Sequence, residues 1–93
     1  MAKSNQYPEE YLKEAHKCSI FNSDWIKNSE MCGCFYCQTI FEPDKIMDWA
    51  DIGRDKGATA LCPNCGIDAV IGSNTNLPVR NTVFLAEMHS YWF

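Results

Sequence analysis

The chain has 93 residues, is 46% hydrophobic, 13% aromatic and 22% charged, and carries a formal net charge of −4. That length holds one small domain, the apolar share excludes wholesale disorder, and an acidic pI near 4.9 argues against a broad basic surface for nucleic acid. No run approaches the roughly 18 consecutive apolar residues of a membrane helix.

Residues 1–6 are polar and are expected to be disordered. Pro8 opens a helix: proline suits the first helical position, and Glu9 and Glu10 complement the positive end of the helix dipole. Tyr11, Leu12, Ala15 and Cys18 recur at helical spacing, and Trp25 with Ile26 resumes the same face. Asn22 falls on that stripe. Either the helix breaks near Asn22-Ser23-Asp24 and a second short helix follows, which we favour, or a polar group is buried there.

Residues 31–42 read as a tight cysteine-bearing turn between short extended segments. Glu42-Pro43-Asp44 is expected to start a short helix with Ile46, Trp49 and Ala50 on its inner face. A polar loop with two glycines spans 51–57. Residues 58–62 and 67–71 read as two strands joined by a Cys-Pro-Asn-Cys-Gly turn, with Ile67, Ala69 and Ile71 on one face and Asp68 and Val70 on the other. The chain is irregular around Pro78. A last helix is predicted from Asn81 or Thr82, with Phe84, Leu85, Met88, Tyr91 and Trp92 as its apolar stripe.

Six cysteines in so short a chain are the anomaly. The N-terminus shows no apolar h-region and no small-residue cleavage site, so no secretory signal is visible and clustered thiols are expected to hold a metal rather than form disulfides. Cys34-Phe-Tyr-Cys37 and Cys62-Pro-Asn-Cys65-Gly66 are two Cys-x-x-Cys units with 24 residues between them. A two-residue gap lets both sulfurs of one turn face a single ion, and Gly66 supplies a permissive backbone just after the second cysteine. Four soft thiolates suit Zn²⁺, with iron as the alternative. Cys34, Cys37, Cys62 and Cys65 are therefore the expected ligands. Cys32 could replace Cys34, but only Cys34 forms the two-residue gap with Cys37. Cys32 is expected to be a buried thiol or a neighbour of the site, and Cys18 part of the core. Four thiolates close the coordination shell, so the site reads as structural. A divalent ion on four thiolates adds −2, which takes the formal charge from −4 to −6.

Motifs for catalysis are missing. His16 precedes Lys17-Cys18 and His89 precedes Ser90-Tyr91, so the His-x-Glu unit of a zinc deaminase is absent. No His-Glu-x-x-His, Gly-x-Ser-x-Gly or P-loop occurs, and two histidines with eight scattered cations do not make a nuclease of HNH type. Cys-Pro-Asn-Cys-Gly resembles one knuckle of rubredoxin, an iron electron carrier, although the first knuckle lacks the matching glycine. Twelve large rings are too many for a small core to hide completely; Phe35 and Tyr36 at the tip of the first knuckle are candidates for contact with a protein partner, although most of the rings are expected to pad out a thin core beside the metal. His16, Asn22 and Asp68 could instead line a pocket for a small ligand or substrate, and Ser73 and Asn74 could join them. Asp48, Asp51 and Asp55 are expected to form a solvated acidic face.

The strings CGCFYC at 32–37, TALCPNCGIDAVIG at 59–72 and MHSYWF at 88–93 resemble a family of small bacterial proteins labelled only as cytoplasmic proteins, with a zinc-ribbon-like cysteine pattern. AHKCS at 15–19 and NSEMCGC at 28–34 extend the resemblance over most of the chain. It implies a bacterial cytoplasmic location and a metal, and it implies no activity. Members of that family often carry histidine where this chain has Cys18, which implies that position 18 is not an obligatory thiol. The sequence thus predicts one α+β domain over residues 1–93: zinc-ribbon or rubredoxin-like knuckles on short antiparallel strands, packed by N- and C-terminal helices. Its expected role is a non-enzymatic, zinc-stabilised protein-interaction module that binds neither nucleic acid nor membrane. Iron-dependent electron transfer and the His16–Asn22–Asp68 pocket stand as alternatives.

Overall fold

In the computed structural model, which describes residues 7–53 and 57–93, the chain enters its first helix through Pro8. Pro8 is extended at ψ 156° and takes the N-cap of α1 (Glu9–His16), where its carbonyl accepts from the Tyr11 and Leu12 amides. A 3-10 turn over Lys17–Ser19 ends that helix, and α2 (Ser23–Lys27) follows a sharp bend at Phe21, whose φ is 48°.

Both alternatives at Asn22 hold together. The chain breaks there, and the side chain is also buried, with 1% of its surface exposed. Asn22 takes the N-cap position of α2, its carbonyl accepting from the Ile26 amide at 2.9 Å, but its side chain makes no capping bond. Its Nδ2 donates to the Cys18 carbonyl at 3.0 Å and the Val70 carbonyl at 2.8 Å, and its Oδ1 accepts from the Ala60 amide at 3.0 Å. A buried amide with all three of these partners fastens the helical segment to both sheets.

The strands are short: β1 (Cys32–Cys34), β2 (Ile40–Phe41), β3 (Trp49–Ala50), β4 (Thr59–Ala60) and β5 (Val70–Gly72). They form one antiparallel sheet in the order β2-β1-β5 and a separate antiparallel pair, β3-β4. In β1, Cys32 lies opposite Phe41 on one side and Gly72 on the other. Gly33 is required there: a Cβ would stand 2.7 Å from the Val79 carbonyl oxygen and 3.1 Å from Leu85.

Two sequence expectations are corrected. Residues 43–50 do not form a helix; a 3-10 turn covers Pro43–Lys45, Ile46 is already extended at ψ 124°, and Trp49–Ala50 is a strand. The three-residue spacing of Ile46 and Trp49 fits a helix locally, but pairing with Thr59–Ala60 across the intervening loop satisfies the backbone instead. Residues 58–62 and 67–71 also do not form one hairpin. Their turn is closed by Cys62 N–H to Ile67 O at 3.0 Å and Gly66 N–H to Cys62 O at 2.9 Å, after which β4 pairs with β3 and β5 with β1. Ala69, Val70 and Ile71 are all buried, so both faces of the chain are covered there.

The last helix, α3 (Thr82–Trp92), is capped by Asn81, whose side-chain oxygen accepts from the Val83 amide at 2.8 Å. Phe84, Leu85 and Met88 are buried with Leu12 and Ala15 of α1. Two cross-links tie the helices: Trp92 Nε1 donates to the Leu12 carbonyl at 3.3 Å, and the Tyr91 hydroxyl donates to Glu9 at 2.8 Å. Tyr91 is 37% exposed and so lies outside the buried stripe predicted for it. The result is an α+β arrangement in which N- and C-terminal helices pack short antiparallel sheets. The expectation for residues 1–6 and the place of Asp55 in an acidic face lie outside the described residues.

Candidate metal centre

Each knuckle is positioned by backbone bonds. Cys34 is the last residue of β1; its amide donates to the Thr39 carbonyl at 2.9 Å, and the next amide, of Phe35, donates to Ala69 O at 3.0 Å. Cys37 comes from the turn closed by the bond from the Cys34 amide to the Thr39 carbonyl. Cys62 follows β4, and Cys65 sits before Gly66, whose φ of 79° lets the turn close without strain.

Four sulfurs converge. The Sγ atoms of Cys34, Cys37, Cys62 and Cys65 all lie within 4.8 Å of one another, a group that could hold a metal ion. Cys34 Sγ is 3.7 Å from Cys65 Sγ, and Cys37 Sγ is 3.6 Å from Cys62 Sγ. Sulfurs about 2.3 Å from a common tetrahedral centre stand about 3.8 Å apart, so both cross-knuckle separations fit such a site. The neighbours suit thiolates as well. The Asn64 amide donates to Cys62 Sγ at 3.3 Å, Thr39 Oγ1 lies 3.2 Å from Cys37 Sγ, and Asn64 Nδ2 donates to Thr39 Oγ1 at 3.3 Å. Sequence reasoning missed Thr39 and Asn64. The signal available was a polar residue two positions after Cys37 and Cys62 in each knuckle.

Burial pushes the Cys34 and Cys65 thiols up. It acts in the same sense on Cys37, but hydrogen bonding from Thr39 and Asn64 outweighs it and holds that thiol at about 6. Thiols give up their protons to bind an ion, so metal uptake at such a cluster is coupled to proton release.

Cys32 is fully buried and is not among the four clustered cysteines. Two residues of strand carry it roughly 6–7 Å along β1. Burial pushes its thiol up to about 12. Cys18 lies half-buried in the 3-10 turn after α1, its thiol raised by burial and then by Glu14.

The alternative pocket residues have different surroundings. His16 packs its ring 4.1 Å from Trp92 and 6.0 Å from Phe35. Asn22 is buried and consumed by backbone partners, so it has no surface to offer a ligand, while Asp68 faces solvent. Ser73 and Asn74 belong to a turn, bonded to the Glu30 and Met31 amides and to Ser29. At the knuckle tip Phe35 is 1% exposed and so packs in the core rather than facing a partner, whereas Tyr36 is 41% exposed and meets Phe93 edge-on at 4.8 Å. Asp48 and Asp51 are exposed, with Asp51 also accepting from the Thr59 hydroxyl at 3.0 Å.

No family model matches the chain, and no curated protein or solved structure matches it. No helix among the described residues is long and apolar enough to cross a membrane. The four-cysteine cluster, in Cys-x-x-Cys pairs consistent with a zinc-ribbon-like site, is what the geometry establishes.

Proposed function

We propose that the chain is a zinc-stabilised, non-enzymatic protein-interaction module of the bacterial cytoplasm, with Cys34, Cys37, Cys62 and Cys65 as the ligands of one structural Zn²⁺. The observation that carries this reading is the closeness of the cross-knuckle sulfurs, 3.7 and 3.6 Å, brought together from opposite ends of a 24-residue intervening segment. Four thiolates leave no position for substrate or activated water, so the ion supplies folding energy and no chemistry. In small zinc peptides that energy is roughly 10–16 kcal/mol, a large sum beside the roughly 5–15 kcal/mol of net stability usual for a domain.

The interaction role is supported by exposed rings and aliphatics: Tyr36 and Trp25 near 40%, Phe93 at 59%, Ile52 at 75% and Met47 at 83%. The cytoplasmic setting rests on the resemblance of the motif strings and on the free thiols such a site needs. Metal analysis with an absorption spectrum, on protein purified under reducing conditions, tests the metal reading. Colourless protein with one zinc per chain is expected. Visible thiolate-to-iron bands would instead assign electron transfer.

A further inference from the structure

Among the described residues, the β3-β4 pair leaves one edge open. Leu61 N–H donates to Asp48 O at 3.2 Å, and the register sets Trp49 opposite Ala60 and Ala50 opposite Thr59. In an antiparallel ladder hydrogen-bonded and non-bonded pairs alternate, so Trp49 and Ala60 turn their backbone groups away from each other. Ala60 shows this on its side, where its amide meets Asn22 Oδ1. Trp49 therefore presents its N–H and C=O outward along the opposite edge, and among the described residues they have no partner.

Trp49 helps to line two hollows, one at each end of the β3-β4 pair. One, of about 510 Å³, is bounded by Met47, Asp48, Leu61, Cys62 and Cys65; the other, of about 430 Å³, by Lys27, Ile52 and Ala58. Both reach the size of ligand pockets, roughly 300–1,000 Å³. Met47 and Ile52, the most exposed of the large apolar side chains described, stand beside them at 83% and 75%. Asp48 is the charged residue lining the first hollow, beside Cys62 and Cys65. On the proposed metal reading, on which this inference rests, those thiolates belong to a centre of formal charge −2.

We infer that the β3 edge is a docking site for an extended, cationic segment of a partner protein, which adds a strand at Trp49. Its backbone bonds the Trp49 N–H and C=O, an aliphatic side chain enters the Lys27–Ile52–Ala58 hollow, and a lysine or arginine faces Asp48 at the other end. A second copy of the chain is the less suitable occupant, because each brings a net charge of −4, or −6 with the ion, and sets its own Asp48 at the same edge.

The test uses zinc-loaded protein to select from a displayed library of random heptapeptides, and then titrates the most enriched peptide into isotope-labelled protein. The expected peptide alternates aliphatic with basic residues and shifts the Trp49 amide and indole resonances. Binding should weaken about tenfold in D48K and in I52E, exposed positions where the fold is retained. N-methylating alternate peptide amides should abolish binding in one register and spare it in the other. No enrichment, an acidic consensus, shifts at Tyr36 and Phe93 instead of Trp49, or indifference to N-methylation overturns the inference. Concentration-dependent dimerisation through Trp49 overturns it in favour of a second copy. Zinc content is read on the same samples: loaded protein that binds no peptide overturns the docking edge alone, whereas peptide binding by folded, zinc-free protein overturns the metal reading alone.

Discussion

Cys37 and Cys62, separated by 25 positions in the chain, place their Sγ atoms 3.6 Å apart. Neither lies in a strand; each hangs from a turn closed by backbone bonds next to one, Cys37 beyond β1 and Cys62 beyond β4. The two strands belong to different sheets, so this sulfur pair, with Cys34 and Cys65, stands where the sheets meet.

On the proposed metal reading, an ion held there joins the two sheets and makes the cluster a folding element. Cys62→Ser is expected to release the ion and unfold the chain, read as lost zinc stoichiometry and a collapsed near-ultraviolet circular dichroism spectrum. Cys32→Ala, at a buried position outside the cluster, is expected to keep full zinc loading. Metal loss in the Cys32 variant would show that the ligand set is wrong.

Asn22 should be among the costliest polar positions. Its alanine variant strands the Cys18 and Val70 carbonyls and the Ala60 amide, of which the last two bonds are buried. At about 1–3 kcal/mol for each buried group left unpaired, a loss of about 3 kcal/mol is expected in urea denaturation at constant zinc. A loss below about 0.5 kcal/mol would mean that water replaces the amide and that the brace is dispensable.

Gly33→Ala tests the close approach of β1 to the segment before α3. The added methyl would meet the Val79 carbonyl oxygen at 2.7 Å, a backbone atom with little room to yield. Overpacking of this kind costs about 1–3 kcal/mol. Thermal denaturation should report a lower midpoint, and an unchanged midpoint would show that the strand shifts freely.

Alkaline stability should carry a signature of Cys32. Its thiol rises from an ordinary 9.0 to about 12 on folding because burial disfavours the thiolate. A raised folded value means that the contribution is complete below pH 9.0 and is lost as pH climbs from there towards about 12. The wild-type chain should therefore lose stability faster over that window than zinc-loaded Cys32→Ala. Parallel profiles would contradict the burial argument.

The knuckles were legible because their chemistry is written in covalent spacing: a two-residue gap, repeated, with glycine after the second pair. The terminal helices were legible from periodicity, and the conflict at Asn22 was visible as a polar residue on an apolar stripe. What sequence could not supply was partner choice between short strands. Trp49–Ala50 and Thr59–Ala60 are two residues each, too short for a period to declare itself, and their pairing is decided across a loop. Phe35 shows the same limit. It sits at the tip of an apparently exposed turn, yet contact with the His16 and Phe93 rings from both ends of the chain buries it.

Native mass spectrometry of the wild-type chain, purified under reducing conditions and paired with metal analysis, tests the metal centre directly. A folded species carrying one Zn²⁺ per chain is expected, with four thiols protected from alkylation until a chelator is added, while Cys18 reacts beforehand. A folded chain without bound metal, with Cys34, Cys37, Cys62 and Cys65 freely alkylated, would contradict that expectation.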